Sequence, residues 1–310
     1  MFTIVSSSVH IPVLFEETLA VLAPERGGHF LDCTFGGGGH SREILNRAPA
    51  GTQLSALDRD PEAAVRAEAF KRDFGDAFHF YNFKFSRLDE VPGAPFAGIL
   101  MDIGVSSFQL DDENRGFSFR KNAPTDMRMD PRNGISAADF LESAEHSLLV
   151  EAVRDFGEEP RWRQVVDAIV GARGSGILGS TATFAALIEK TIGRKPGSKI
   201  HPATKTFQGV RIAVNNELGE LSAALPKAFD ALDRGGVLAL ITFHSLEDRI
   251  VKQFFNKKCG RPINRFDSRP QDEREVFAEM LTRKGVTAGA AELAVNPRSR
   301  SAKLRAIRKL

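Results

Sequence analysis

The sequence is poor in the features that mark secreted, membrane-spanning or zinc-binding proteins. Its 310 residues include only two cysteines, Cys33 and Cys259, which argues against a disulfide framework and against a zinc site of the usual kind. No apolar run reaches the ~20 residues of a membrane-spanning helix, and the first residues lack the basic and apolar regions of a signal peptide. We therefore expect a soluble cytoplasmic protein with no metal ion.

An excess of charge of either sign is also absent, since 42 basic residues face 40 acidic ones. Basic residues are nevertheless concentrated in residues 191–214 and 295–310, which contain no acid. They are Arg194, Lys195, Lys199, Lys205 and Arg211 in the first stretch, and Arg298, Arg300, Lys303, Arg305, Arg308 and Lys309 in the second. Such local stretches favour a surface that follows RNA phosphates, although a solvated terminal surface remains an alternative. Within the second stretch, we predict RNA contacts at Arg298, Arg300 and Lys303.

One segment near the start has the pattern of a nucleotide-binding corner. An apolar strand ends in Asp32, four glycines follow at 36–39, and the next residues can begin a helix. A P-loop would need a lysine after the glycines, and a dinucleotide fingerprint would need glycine where Ser41 stands. The remaining pattern, acid-x-x-x-Gly-x-Gly, resembles the first motif of S-adenosylmethionine-dependent methyltransferases. A purely structural glycine turn remains an alternative.

A second acidic residue follows at the spacing that such a corner requires. Residues 53–57 form a strand pattern that ends in Asp58, about 20 residues after the glycine loop. Nucleotide-binding α/β sheets place there a carboxylate that accepts hydrogen bonds from ribose hydroxyls. We favour this role for Asp58 over that of an ordinary turn residue.

The order of strand and helix patterns predicts an α/β fold with an insertion. Further strands are indicated at 78–83 and 96–101, the latter followed by Asp102, but the next convincing strand is 237–243. The residues between them show helical periodicity at 146–156, 162–170 and 184–192. We predict a Rossmann-like, mostly parallel sheet formed by residues 1–111 and 200–310, and a smaller all-helical domain at 112–199.

Several ordered motifs resemble one family over nearly the whole chain, the ribosomal small-subunit methyltransferase H family, also called MraW. The matching stretches are 10–14, 34–41, 98–109, 115–130, 203–217, 243–249 and 296–305. The resemblance implies a class I methyltransferase fold whose inserted domain recognises the substrate. It also implies methyl transfer from S-adenosylmethionine to the exocyclic N4 of a cytosine in the decoding centre of bacterial 16S rRNA, within the small ribosomal subunit. The cofactor contacts that it implies are Gly38, Gly39, His40, Asp58, Phe85, Asp102 and Gln109.

The residues that would act on the base are less well marked by the sequence. Many amino-methylating enzymes carry two prolines and an aromatic residue directly after the fourth strand, whereas this chain has Asp102-Ile103-Gly104-Val105. Asp126 and His244 are candidates for catalytic roles. For Asp126 the alternative is a structural ion pair with Arg128 or Arg120, and for His244 it is a hydrogen bond to a neighbouring loop.

Other classes of function fit the pattern less well. An NAD-dependent oxidoreductase is disfavoured by Ser41 and by the basic stretches. A non-catalytic RNA-binding module is disfavoured because Gly38, Asp58, Asp102 and Gln109 are all present. Among methyltransferases, DNA or protein remains the alternative substrate.

Overall fold

The computed structural model describes residues 12–194, 196–198 and 200–310. They form two compact units. The first unit comprises the described residues up to Gly104 together with Glu220–Leu310, and the second is Val105–Gly219. The predicted insert, residues 112–199, lies inside the second unit, which is longer at both ends.

The first unit is built on a seven-stranded sheet of the described residues. Its strands are β1 (His29–Asp32), β2 (Gln53–Leu57), β3 (Phe78–Tyr81), β4 (Phe96–Asp102), β5 (Leu232–Thr242), β6 (Ala278–Met280) and β7 (Lys303–Lys309). Their order is β3-β2-β1-β4-β5-β7-β6, with the first five parallel and both β7 and β6 antiparallel to their neighbours. The Rossmann-like, mostly parallel sheet predicted from the sequence is therefore confirmed.

The helices follow the strands of the first unit and make up most of the second. They are α1 (Phe15–Leu22), α2 (Gly39–Arg47), α3 (Pro61–Phe74), α4 (Ser107–Asp111), α5 (Ala137–Ser143), α6 (His146–Val150), α7 (Trp162–Ala172), α8 (Thr181–Ile192), α9 (Ala203–Asn215), α10 (Glu217–Asp230), α11 (Ser245–Lys258) and α12 (Ala290–Val295). Within the described part of the chain, no helix combines the length and apolarity needed to cross a membrane.

Both faces of the sheet are covered, and β5 shows this most clearly. Leu238 and Leu240 belong to one cluster of buried apolar side chains, while Val237, Ala239 and Ile241 belong to another. A continuous apolar run of this kind is typical of a parallel strand buried on both faces. Because the strand is covered on both sides, the polar groups available to a ligand lie at the ends of the strands rather than along them.

The second unit has its own helical core, as the periodicity predicts. In α7, Val165, Val166 and Ile169 are fully buried, whereas Val170, the last member of the predicted stripe, is 40% exposed. The helix α6 continues into a π-helical turn at Glu151–Phe156. The helices α6, α7 and α8 lie where the sequence shows helical periodicity.

Candidate functional site

The glycine loop between β1 and α2 is organised around a buried acid. Asp32 ends β1, and its Oδ2 accepts a 2.7 Å hydrogen bond from the Ser41 hydroxyl in α2. Its Oδ1 accepts a 3.0 Å bond from the backbone N–H of Thr34. Ser41 stands where a dinucleotide-binding fingerprint has its third glycine. Its hydroxyl therefore links the start of α2 to Asp32 at the end of β1.

Two glycines of this loop occupy positions that exclude a side chain. Gly38 has φ = +76°, and a Cβ there would lie 2.8 Å from the ring of Phe35. A Cβ on Gly39 would lie 2.4 Å from Pro12. Since glycine alone tolerates such a φ and such contacts, these two glycines let the loop pack closely against Phe35 and Pro12 at the point where α2 begins.

Asp58 supports the same loop from the end of β2. Its Oδ2 accepts a 2.8 Å bond from the N–H of Gly36, and its Oδ1 accepts a 2.9 Å bond from the N–H of Asp60. Burial raises the pKa of Asp58 to about 6. Each oxygen of a carboxylate accepts two hydrogen bonds, so acceptor capacity remains for ribose hydroxyls, and the cofactor role of Asp58 stays a prediction.

Asp102, at the end of β4, has a buried oxygen that nothing satisfies. Its Oδ1 has no hydrogen-bond partner among the described residues, while its Oδ2 lies 3.9 Å from Nδ1 of His40 and a quarter of the side chain is exposed. Burial, together with the negative charges of Asp32 and Glu247, raises the pKa of Asp102 to about 8. Because these acids lie close together, a positively charged ligand group would be stabilised at the carboxyl edge of the sheet.

The donor set at this edge suits S-adenosylmethionine. The cofactor carries a positive sulfonium and an ammonium group, and Asp102 offers an unpaired acceptor beside further acids. It carries no pyrophosphate, in keeping with a glycine loop that no lysine follows. The residues present therefore fit the group on both charge and hydrogen bonding.

Two predicted cofactor residues lie in different units. Phe85 begins a short 3-10 turn, Phe85–Glu90, and packs half-buried against the core of the first unit. Gln109 lies in α4 of the second unit, where its Oε1 accepts a bond from the N–H of Ser106 and the Ser106 hydroxyl accepts one from the N–H of Gln109. This capping box, signalled by Ser-x-x-Gln, gives Gln109 a structural role that sequence analysis missed, and its cofactor contact stays a prediction.

The two candidate catalytic residues both have structural partners. His244 precedes α11, where its Nδ1 accepts a 3.5 Å bond from the N–H of Glu247 and its Nε2 lies 3.0 Å from the Glu247 carboxylate. Asp126 receives two bonds of 2.8 and 2.7 Å from the guanidinium of Arg128. These bonds, and the positive charge of Arg128, lower the pKa of Asp126. The ion pair with Arg128 is thus observed for Asp126, whereas His244 contacts Glu247 of α11 rather than a neighbouring loop, and both catalytic roles stay predictions.

The basic run at the carboxyl terminus is in part an internal ion-pair network. Nζ of Lys303 lies 3.0 Å from Oδ2 of Asp248, and Nε of Arg305 lies 2.6 Å from Oδ1 of the same residue. Arg298 and Arg300 lie in the 3-10 turn Pro297–Ser301 that precedes β7, and Arg300 is exposed. The sequence pattern therefore overestimates the available positive charge, because it does not reveal that Asp248 neutralises part of the run.

In the other basic stretch, two side chains also have partners within the protein, and one of these partners is an acid. Nζ of Lys205 donates to the carbonyl of Glu158, and the guanidinium of Arg211 makes two 2.8 Å bonds to Glu217. Arg194 is exposed. The predicted contributions of Lys195 and Lys199 lie outside the described residues.

A mostly parallel sheet with an acid–glycine loop after β1 and acids after β2 and at the end of β4 defines a Rossmann-like class I methyltransferase. The model of the MraW methylase family matches residues 7–310, and the chain belongs to this family. The enzyme is an S-adenosylmethionine-dependent methyltransferase.

Relatives of similar length support the same assignment. The chain is 47% identical over 303 residues to ribosomal RNA small subunit methyltransferase H of Nitrobacter hamburgensis, covering 96% of this chain and 90% of the relative. It is 45% identical over 298 residues to the protein of that name in Rhizobium johnstonii, covering 96% and 86%. With the Rickettsia felis protein of that name the identity is 42% over 305 residues, covering 97% and 98%.

Proposed function

We propose that this enzyme transfers a methyl group from S-adenosylmethionine to the exocyclic N4 of a cytosine in the decoding centre of bacterial 16S rRNA. The names of its relatives in the MraW family support ribosomal RNA as the substrate class. The observation that carries the proposal is the identity of 42–47% over nearly the full chain to enzymes named for methylation of small-subunit rRNA. The partner is then 16S rRNA within the small ribosomal subunit, and the location is the cytoplasm.

In this proposal, the predicted cofactor residues make separate contacts with S-adenosylmethionine. When bound, the cofactor supplies a methyl group that its sulfonium already activates. Asp58 accepts the ribose hydroxyls, and the unsatisfied oxygen of Asp102 faces positive or N–H groups. The remaining contacts are Gly38, Gly39, His40, Phe85 and Gln109.

Catalysis of this methyl transfer depends mainly on the alignment of the two reacting groups. The amino nitrogen of cytosine is a weak nucleophile because its lone pair is delocalised into the ring, so the protein must hold that nitrogen in line with the methyl carbon. A base can reach such a position only when it is unpaired or flipped out of its helix. An acceptor for the amino proton lowers the barrier further as positive charge develops on nitrogen. Asp126 and His244 remain the candidates for this role.

RNA recognition is assigned to the inserted helical domain and to the carboxyl-terminal basic residues. The second unit has a core of its own, so residues 112–199 can present a surface to RNA without disturbing the sheet. Arg298 and Arg300 precede β7 and contact phosphates in this proposal. Lys303 has to exchange part of its pairing with Asp248 to do the same.

The proposal is tested by labelling. Unmethylated small ribosomal subunits, DNA and cell protein are each incubated with the enzyme and methyl-labelled S-adenosylmethionine, and the labelled rRNA nucleotide is identified by digestion and mass spectrometry. We expect label only in 16S rRNA, as N4-methylcytidine at one decoding-centre position. Label in DNA or protein, or on another atom of the rRNA, would contradict the proposal. A reaction without enzyme serves as the control.

A further inference from the structure

An aromatic residue, Phe243, directly follows β5, the strand that pairs with β4 and Asp102, although the loop after β4 contains none. The parallel register pairs Asp102 of β4 with Ile241 of β5. Phe243 follows Ile241 by two residues, and side chains two apart on an extended strand share a face. Phe243 is the first residue after β5, and its packing against the apolar cluster that contains Ile241 places it on the face of the sheet that Ile241 occupies.

The ring of Phe243 is half-buried and held in place. It packs against the apolar cluster that contains Ile241. Its own backbone N–H donates a 2.8 Å bond to the buried carboxylate of Glu247, at the start of α11. These contacts fix the residue from two sides while leaving part of the side chain accessible.

Gly104 allows the loop after β4 to lie directly against this ring. It has φ = +134°, a conformation that other residues rarely adopt, and a Cβ at this position would lie 3.1 Å from Cδ2 of Phe243. Any side chain at 104 would therefore rest on the ring. Glycine at this position therefore adds no side chain over the ring.

We propose that Phe243 is the aromatic surface on which the target cytosine stacks; this inference rests on the proposed function and names a residue that positions its substrate. A base taken out of its helix loses stacking, and enzymes that act on bases restore it with aromatic side chains. The amino group lies in the plane of the cytosine ring, so a stacking contact also fixes the plane in which N4 approaches the methyl group. Because stacking tolerates every base, Phe243 gives affinity and orientation, and cytosine is selected by other groups.

The test compares variants that keep the ring with variants that lose it. Phe243→Leu and Phe243→Met remove the aromatic face, while Phe243→Tyr retains it. We expect kcat/KM for small ribosomal subunits to fall about 5- to 160-fold in the first two, the equivalent of about 1–3 kcal/mol of stacking. The tyrosine variant should stay within about threefold of the wild type. Calorimetric affinity for S-adenosylmethionine and the cooperative melt should be the same in all four proteins.

The outcomes separate this inference from the proposed function. A wild-type enzyme that leaves the subunit cytosine unmodified would remove the proposed function and the inference with it. A wild type that methylates the subunit, with leucine and methionine variants equally active, would remove the inference alone. Loss of activity in the tyrosine variant as well, or a parallel fall in cofactor affinity, would assign Phe243 to the core. Should the leucine variant fail to melt cooperatively, the methionine and tyrosine variants decide the matter.

Discussion

The Ser41 hydroxyl donates a 2.7 Å hydrogen bond to the buried carboxylate of Asp32, joining the first turn of α2 to the end of β1 across the glycine loop. Burial raises the pKa of Asp32, and the bonds from Ser41 and Thr34 oppose that rise. Among the polar contacts that hold this loop, the bond from Ser41 is therefore one that the nucleotide-binding pattern alone does not specify.

Replacing Ser41 with alanine should weaken both the fold and the cofactor site. The Oδ2 of Asp32 would lose its donor while remaining buried, a loss of about 1–3 kcal/mol in the free energy of unfolding. Denaturant unfolding measures this loss, and calorimetric titration should show weaker binding of S-adenosylmethionine. Ser268→Ala, at an exposed position, is the matched control and should change neither. Wild-type stability in the Ser41 variant would show that water replaces the hydroxyl.

Removing the carboxylate of Asp58 should reduce cofactor affinity by about 1.5–3 kcal/mol, the range for hydrogen bonds to a charged group. The same carboxylate accepts bonds from Gly36 and Asp60, so Asp58→Ala could also loosen the loop. Asp58→Asn retains one acceptor oxygen and should fall between the alanine variant and the wild type. Calorimetric titration gives both affinities, and an unchanged value for Asp58→Ala would remove the residue from the site.

Asp102 should make cofactor binding depend on pH. Its pKa of about 8 means that the folded protein binds a proton that the unfolded chain releases near pH 4, so this group contributes stability that is lost as pH rises towards 8. A cationic ligand favours the ionised carboxylate, so binding below about pH 8 should release a proton and affinity should rise between about pH 6.5 and 8.5.

Titration calorimetry in two buffers of different ionisation enthalpy measures that proton. Asp102→Asn should bind more weakly and lose the part of the pH dependence that Asp102 causes, while titration of the cofactor itself is common to both proteins. An identical pH profile in the wild type and the variant would mean that Asp102 does not face the positive groups of the ligand.

How far the sequence predicts this site depends on whether the determining contacts are local. The strands β1 to β5 and the acids Asp32, Asp58 and Asp102 follow from short apolar runs and from their spacing, because parallel strands bring their carboxyl ends to one edge. The capping box of Gln109 also has a local signature in Ser106, three residues away.

The strand β7 could not be predicted in this way. Its sequence mixes basic and apolar residues. Without knowledge of the neighbouring strands, this pattern predicts a charged terminal segment rather than a strand. Arg305 is buried because Asp248, 57 positions earlier, lies beside it. The proposed role of Phe243 likewise has no local sequence signal, since its neighbour Gly104 lies in the loop after a different strand.

The basic residues near the carboxyl terminus should divide into two groups with different effects. Replacing Arg298 and Arg300 with alanine should weaken RNA binding and lower its salt dependence by about 0.7 in log–log slope for each single-strand phosphate that the protein no longer neutralises. Arg305→Ala should instead lower the free energy of unfolding by about 1–3 kcal/mol, because it removes a charged bond to Asp248. Filter binding over a salt series and denaturant unfolding separate the two effects. A destabilised double variant with an unchanged salt slope would assign Arg298 and Arg300 to the fold.

The second unit should be destabilised when a side chain is added at a close contact between two of its helical segments. Gly209 of α9 packs against the π-helical turn, where a Cβ would lie 1.9 Å from the carbonyl oxygen of Ala152 and 2.7 Å from the backbone nitrogen of Gly157. Both neighbours are backbone and cannot rotate away, so Gly209→Ala should destabilise the second unit by about 3 kcal/mol, the upper end of the usual range for overpacking.

The matched control lies in the same unit. Gly171 of α7 has nothing within 4 Å of a Cβ, so Gly171→Ala should stabilise its helix by about 0.5–1 kcal/mol. Hydrogen exchange should show faster exchange of α9 amides in the Gly209 variant and unchanged protection in β4 and β5. If the second unit recognises RNA, methylation of small ribosomal subunits should fall together with the protection of α9. Full methylation by a variant whose α9 is no longer protected would place RNA recognition in the sheet unit.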